Sequence, residues 1–154
     1  MKFLGIVLVL AAAGAGVYYF FPGLFVEVPN ERMAQSAVAD HVAEQSKVIE
    51  IDLLQKTDGQ ERTDDAGVRH YTFEYKCVAK FKKDTMWSFI GNRFATVDPL
   101  PKDASKKERK ATADIMAGKT LAKAGDTVAL KGAVEFEHKE SGWTVTKVTI
   151  GRDA

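Results

Sequence analysis

Three histidines and one cysteine supply every imidazole and thiol in the 154 residues. None of His41, His70, His138 and Cys77 stands at a short metal-ligand spacing from another, so no metal site is expected. His41 falls among apolar residues that recur at helical spacing, where a hydrogen-bonded core histidine is the usual occupant. His70 and His138 fall on expected strands and could meet across a sheet, with Glu74 completing the one polar cluster that acid–base work could use. Cys77 alternates with aromatic residues, the setting of a buried, inert thiol rather than a nucleophile, and a lone cysteine excludes an intramolecular disulfide. Ser36, Ser46, Ser88, Ser105 and Ser141 include none in a G-x-S-x-G elbow. Gly118-Lys119-Thr120 ends like a phosphate-binding loop, but Ala113 stands where that loop needs its first glycine. Asp58, Glu61, Asp64 and Asp65 gather carboxylates without the alternate spacing and sixth-position glycine of a calcium loop. The chain is accordingly expected to be no enzyme, with no catalytic residue and no cofactor.

Two groups remain that could bind. Tyr71, Phe73 and Tyr75 share one face of a strand and could line a ligand pocket under a helix. Lys102, Lys106, Lys107, Arg109 and Lys110, opposed only by Asp103 and Glu108, make a basic surface for an acidic partner or for anionic headgroups. Trp87 and Trp143 read as core or rim packing rather than a ligand cage.

Charge sets a boundary on the partners. The chain carries 22 Lys+Arg against 21 Asp+Glu, and without Lys2 the balance is 21 to 21. A nucleic-acid surface needs clustered positive charge, which this balance does not supply globally, so no nucleic acid is expected. The uncharged run from Phe3 to Val26 comes directly after Lys2. As a helix it would be about 36 Å long at roughly 1.5 Å per residue, enough for a hydrocarbon core of roughly 30 Å with some tilt. Residues 1–28 are therefore expected to be a membrane anchor or uncleaved signal. Its aromatics Tyr18 to Phe21 would sit at the far interface, in an N-in, C-out, single-pass topology in the cytoplasmic membrane. The alternative is a cleaved secretory signal, with Ala11 to Ala15 as the small-residue site, and a secreted product.

Residues 29–151 are expected to form one α+β domain. Asn30 is a candidate N-cap, and Met33, Ala37, Val38, His41, Val42 and Gln45 line the stripe of an amphipathic helix. Val48 to Leu54 alternates as a half-buried strand with Ile49, Ile51 and Leu53 inward. Thr57 to Gly67 reads as a polar hairpin loop. Val68 to Lys82 is the clearest strand, aromatic on one face, charged on the other and long enough to need a bend or bulge. Met86 to Val97 reads as a third strand interrupted at Gly91-Asn92, and Ser105-x-x-Glu108 caps a second short helix that ends at Gly118. Thr127 to His138 and Trp143 to Ile150 form the closing hairpin, with Gly132 marking a bulge or a close backbone approach. Residues 152–154 are expected to fray. The sum is an N-terminal transmembrane helix, then an amphipathic helix on a curved antiparallel sheet of about five strands, with a second short helix.

A helix from Met33 to Gln45, followed by a sheet that closes with Gly132 to Phe136 and Ser141-Gly142-Trp143-Thr144-Val145, resembles the small cystatin-like or NTF2-like domains of bacterial exported proteins. The second helix before the final hairpin departs from that pattern. Such folds host binding modules, assembly platforms and some enzymes, so the resemblance implies architecture more than activity. The leading expectation is a membrane-anchored extracytoplasmic interaction domain, an accessory subunit of an envelope assembly with a protein partner. A small-ligand-binding module is the second reading, and an unrecognised enzyme the third.

Overall fold

The computed structural model describes residues 28–153. The apolar run 3–26 lies outside them; among the described residues no helix is long and apolar enough to cross a membrane. The chain is α+β, as expected, with an antiparallel sheet, and the described residues hold few helices and seven strands in two sheets rather than about five in one.

Helix α1 (Glu31–Gln45) starts where Asn30 Oδ1 accepts the Met33 amide at 3.1 Å and stops at Ser46, which turns extended. Its buried face is Ala34, Val38 and Val42, at strict i, i+4 spacing, with Met33, Ala37, His41 and Gln45 half-buried at its flanks. Every residue of the expected stripe is thus buried or half-buried, and Ala34, outside it, joins the buried face.

Strands β1 (Ile49–Thr63), β2 (Arg69–Phe81), β6 (Thr127–Lys139) and β7 (Gly142–Arg152) form the long sheet in the order β1-β2-β6-β7, all antiparallel. The alternation of β2 puts Tyr71, Phe73, Tyr75, Cys77, Ala79 and Phe81 into the core. The irregularity expected in β2 lies in the two edge strands instead. Leu53, at φ 44°, and Thr57 are extra residues in β1, and Thr146 is extra in β7. Each bulge swaps the parity of the residues beyond it. Ile49, Ile51, Leu54, Lys56, Gly59 and Glu61 therefore share the inner face, as Trp143, Val145, Val148 and Ile150 do on β7. Leu53, expected inward, is 69% exposed, and Leu54 takes its place at 7%.

Residues 57–63, expected in a loop, extend β1, and the turn shrinks to residues 64–68. Asp64 Oδ1 accepts the Ala66 and Val68 amides at 2.9 Å each, and Gly67 takes the positive φ that closes the turn. The expected third strand is a hairpin, β3 (Thr85–Ile90) and β4 (Arg93–Val97), because Gly91 and Asn92 both adopt positive φ, as a two-residue type I′ connection requires. With β5 (Thr120–Ala122), too short to be seen as a strand, they form the second sheet, β4-β3-β5. This small sheet meets the C-terminal end of α1: Gln45 Oε1 accepts the Phe94 amide at 2.9 Å, and the Ser46 and Thr96 hydroxyls are 2.9 Å apart. Phe81, Trp87, Phe94 and Phe89 form a chain of ring contacts, 5.2, 6.0 and 5.0 Å between centroids, that joins the two sheets.

The second helix is two pieces, α2 (Lys106–Ala111) and α3 (Ala113–Met116). Its capping box is as expected: Ser105 Oγ accepts the Glu108 amide at 3.2 Å while the Ser105 amide donates to Glu108 Oε2 at 2.7 Å. The C-terminus is tied rather than frayed as far as Asp153, since Arg152 closes β7, the Asp153 amide donates to Ala129 O at 3.1 Å, and its carboxylate pairs with Lys76 and Lys131 at 2.9 and 3.3 Å.

Candidate functional site

Beyond the N-terminal end of α1 the inner face of the long sheet continues into an aromatic and charged cluster. One row there runs Glu61, Tyr71, Phe136, Val145 across β1, β2, β6 and β7, and beyond it Thr63 faces Arg69 on β1 and β2 while His138 faces Trp143 on β6 and β7. Lys56 Nζ donates to Tyr71 Oη at 2.7 Å and lies 5.4 and 5.6 Å from the Tyr71 and Phe73 ring centres. Gly59 makes this reach workable: a side chain there would collide with the Tyr71 hydroxyl and with the end of Lys56. Glu31 of α1 accepts the Lys56 amide at 3.1 Å, so helix and bulge are fastened at the same residue. Arg69 is ion-paired with Glu61, and its guanidinium lies 5.3 Å from the Trp143 ring. Trp143 also meets His138 edge-on at 4.9 Å and Tyr71 at 6.2 Å.

The electrostatics are those of closed pairs. The Arg69 hydrogen bond holds the Glu61 carboxyl below the usual range, with the Arg69 and His138 charges adding to the effect. Glu61 is thus a fixed carboxylate and a poor proton donor. Burial raises the Tyr75 hydroxyl well above its ordinary range, and that hydroxyl donates to Thr149 O at 3.0 Å, across the space that a side chain at position 132 would need. Gly132 is therefore the close approach anticipated from sequence, with no bulge at that residue. Burial also pushes the Cys77 thiol up to about 11, in keeping with an inert core cysteine.

The remaining sequence candidates are dispersed. His70 and His138 lie on opposite faces of the sheet, because His70 stands opposite Glu137, the neighbour of His138. His70 Nε2 meets Asp64 Oδ2 at 3.0 Å, and that contact, followed by the Val68 amide, lowers the Asp64 carboxyl. Glu74 is on the outer face with His70, so the trio that an acid–base reading would need does not assemble. His41 bonds to Gln45 at 2.9 Å. Asp58 and Glu61 are on β1 whereas Asp64 and Asp65 are in the turn, and among the described residues no group of three such side chains could hold a metal ion. Tyr71, Phe73 and Tyr75, the expected pocket wall, are 6, 0 and 1% exposed, and Tyr75 borders a cleft of about 390 Å³ beside Gly132 and Thr149. A shallow cleft of about 450 Å³ opens elsewhere, between the sheets, walled by Phe81, Trp87, Leu121 and Asp126.

Lys102, Lys106, Lys107, Arg109 and Lys110 are all exposed, on or beside α2. Arg109 turns back, donating to Ala104 O at 3.0 Å and Lys102 O at 2.9 Å, and so holds the approach to the helix. The whole segment 98–119 contributes no buried residue.

Lys56 and Arg69 were missed by sequence reasoning, to which Glu61 is only a carboxylate of a polar loop. Lys56 reaches the inner face only because the bulge at Leu53 shifts the parity of β1, whereas Glu61, beyond the second bulge, has the parity of Ile49 and Ile51 again. Compared with protein-family models, curated proteins and solved structures, the chain matches none.

Proposed function

We propose that the chain is a membrane-anchored extracytoplasmic interaction domain, an accessory subunit of an envelope assembly, with residues 3–26 as the anchor and residues 29–151 beyond the membrane. The resemblance to cystatin-like and NTF2-like domains belongs to the same proposal; a helix laid on a twisted antiparallel sheet supports it. The observation that carries the functional reading is segment 98–119. Ordering a residue costs about 1–2 kcal/mol of backbone entropy, normally offset by burial. Here 22 consecutive residues carry two short pieces of helix, the first with a capping box, and none of them is fully buried, Leu100 and Met116 among those half-buried. A segment ordered without serving the core serves what lies outside it.

The inner-face cluster supports a binding role over acid–base chemistry, since its carboxylate, guanidinium, lysine and phenol are already joined in pairs. The pocket reading is weakened by the burial of its three rings, of which Tyr75 borders the cleft beside Gly132. Fractionation and crosslinking in intact cells test the proposal. An intact chain recovered only with membranes and crosslinked to a distinct protein is the expected result. A soluble chain that has lost its first dozen or so residues would overturn the anchor, and an uncrosslinked monomer would overturn the assembly role.

A further inference from the structure

The basic segment and the start of the helix lie at opposite ends of α1. Glu31 is fixed to Lys56, midway along β1, while Gln45 and Ser46 bond to Phe94 and Thr96 of the small sheet. Segment 98–119 springs from that same small sheet. It leaves β4 at Asp98, which pairs with Lys83 at 2.6 Å, and returns as β5, which pairs with β3. The 15 residues of α1 separate these points by about 22 Å at roughly 1.5 Å per residue. Screening reduces exposed charges to little over about 8 Å at physiological ionic strength. A headgroup layer at the N-terminal end of α1 is therefore remote from the roots of this segment.

Its surface has two components. Glu108 is engaged in the capping box and Arg109 in carbonyl bonds, which leaves Lys102, Lys106, Lys107 and Lys110 pointing to solvent with Asp103 as the neighbouring acid. Among the described residues none of these four lysines forms an ion pair. On the returning limb Ile115 is 51% exposed and Leu121 49%. Isolated exposed apolar residues are ordinary, but two within twenty residues of these four lysines supply the apolar and charged side chains from which the centre and rim of a small interface are made.

We infer that segment 98–119, with Leu121, docks an acidic protein surface: carboxylates meet Lys102, Lys106, Lys107 and Lys110, and an apolar side chain covers Ile115 and Leu121. This identifies the partner chemistry of the interaction domain proposed above and rests on that reading. The full chain in discs of zwitterionic lipid is titrated with a fluorescent synthetic helix, about four turns long, bearing glutamates on one face and leucines on the other. Binding is expected, weaker at higher salt. The triple variant Lys106→Glu, Lys107→Glu, Lys110→Glu should bind about tenfold less tightly, as complementary charge lost at a rim dictates. Ile115→Ser with Leu121→Ser should weaken binding several-fold while leaving the salt dependence as it was.

Absence of binding, or equal binding by the triple variant, overturns the inference. So does a chain whose lysines capture phosphatidylglycerol vesicles more tightly than the peptide, because headgroups would then be the ligand. Flotation of the chain with cell membranes is measured separately. If it fails while the peptide still binds, the anchor falls and the docking surface stands.

Discussion

The long sheet and segment 98–119 are ordered by opposite means. In the sheet, backbone pairing and burial act together: β2 is bonded on both sides, and its odd-numbered side chains from Tyr71 to Phe81 are all buried. In the segment, order comes from local polar contacts, the Ser105–Glu108 box, the Arg109 bonds and the Lys83–Asp98 pair at its root, with no residue fully buried. The difference teaches where substitution should matter: in the sheet it should reach stability, in the segment only what binds there.

That contrast can be broken, beginning with the largest expected effect. Phe73→Ala empties a fully buried site and should destabilise the domain by about 3–5 kcal/mol in urea unfolding. A value near zero would mean that the sheet face is not the core. Cys77 should be close to inert toward a disulfide reagent at pH 8 while the domain is folded. Its thiol is pushed from 9.0 to about 11, which lowers the thiolate fraction about 100-fold before access is considered. Denaturant should restore the reaction, and rapid labelling of folded protein would contradict the buried placement. Gly132→Ala drives a methyl into the Thr149 carbonyl and Tyr75 hydroxyl, so a loss of about 1–3 kcal/mol is expected. Gly151→Ala, whose nearest obstacle is Lys131 O at 3.7 Å, should be tolerated; equal melting points for the two variants would show that β6 and β7 are not so close.

Asp153 offers a smaller, pH-dependent test. Hydrogen bonds from Lys76 and then Lys131 hold its folded carboxyl below the ordinary range, so its contribution is complete above the unfolded value and is lost as pH falls through the folded one. The deficit of Asp153→Asn in melting temperature should therefore be present at neutral pH and close on acidification below about 4. A deficit that grew in acid would have the wrong sign. Smallest of all, Lys107→Ala, in a helix that buries nothing, should stay within about 0.5 kcal/mol of the parent. A larger loss would make the segment part of the fold after all.

Much of the core was legible. The alternation of β2 needs no partner to be read, because parity alone assigns each side chain to a face. The Asn30 cap, the Ser105 box and the β6–β7 hairpin depend on residues close in sequence, and they are where they were expected. The hairpin at Gly91-Asn92 had a signal that could have been used, a glycine–asparagine pair between apolar runs. Residues 57–63 had none: on an edge strand beyond the helix both faces meet water, so the sequence is polar throughout and resembles a loop.

Local sequence, then, determined the capped helix, the amphipathic central strand, the inert cysteine and the lysine-rich turn, since each arises from spacing and short-range hydrogen bonding. Tertiary structure decided which polar groups meet. One extra residue at Leu53 changes the parity of β1 and another at Thr57 restores it, and only the stretch between them owes its inner-face place to the first bulge, which brings Lys56 to Tyr71. A bulge is selected by the twist and packing of the whole sheet, a sum over contacts distant in sequence that no window along the chain contains.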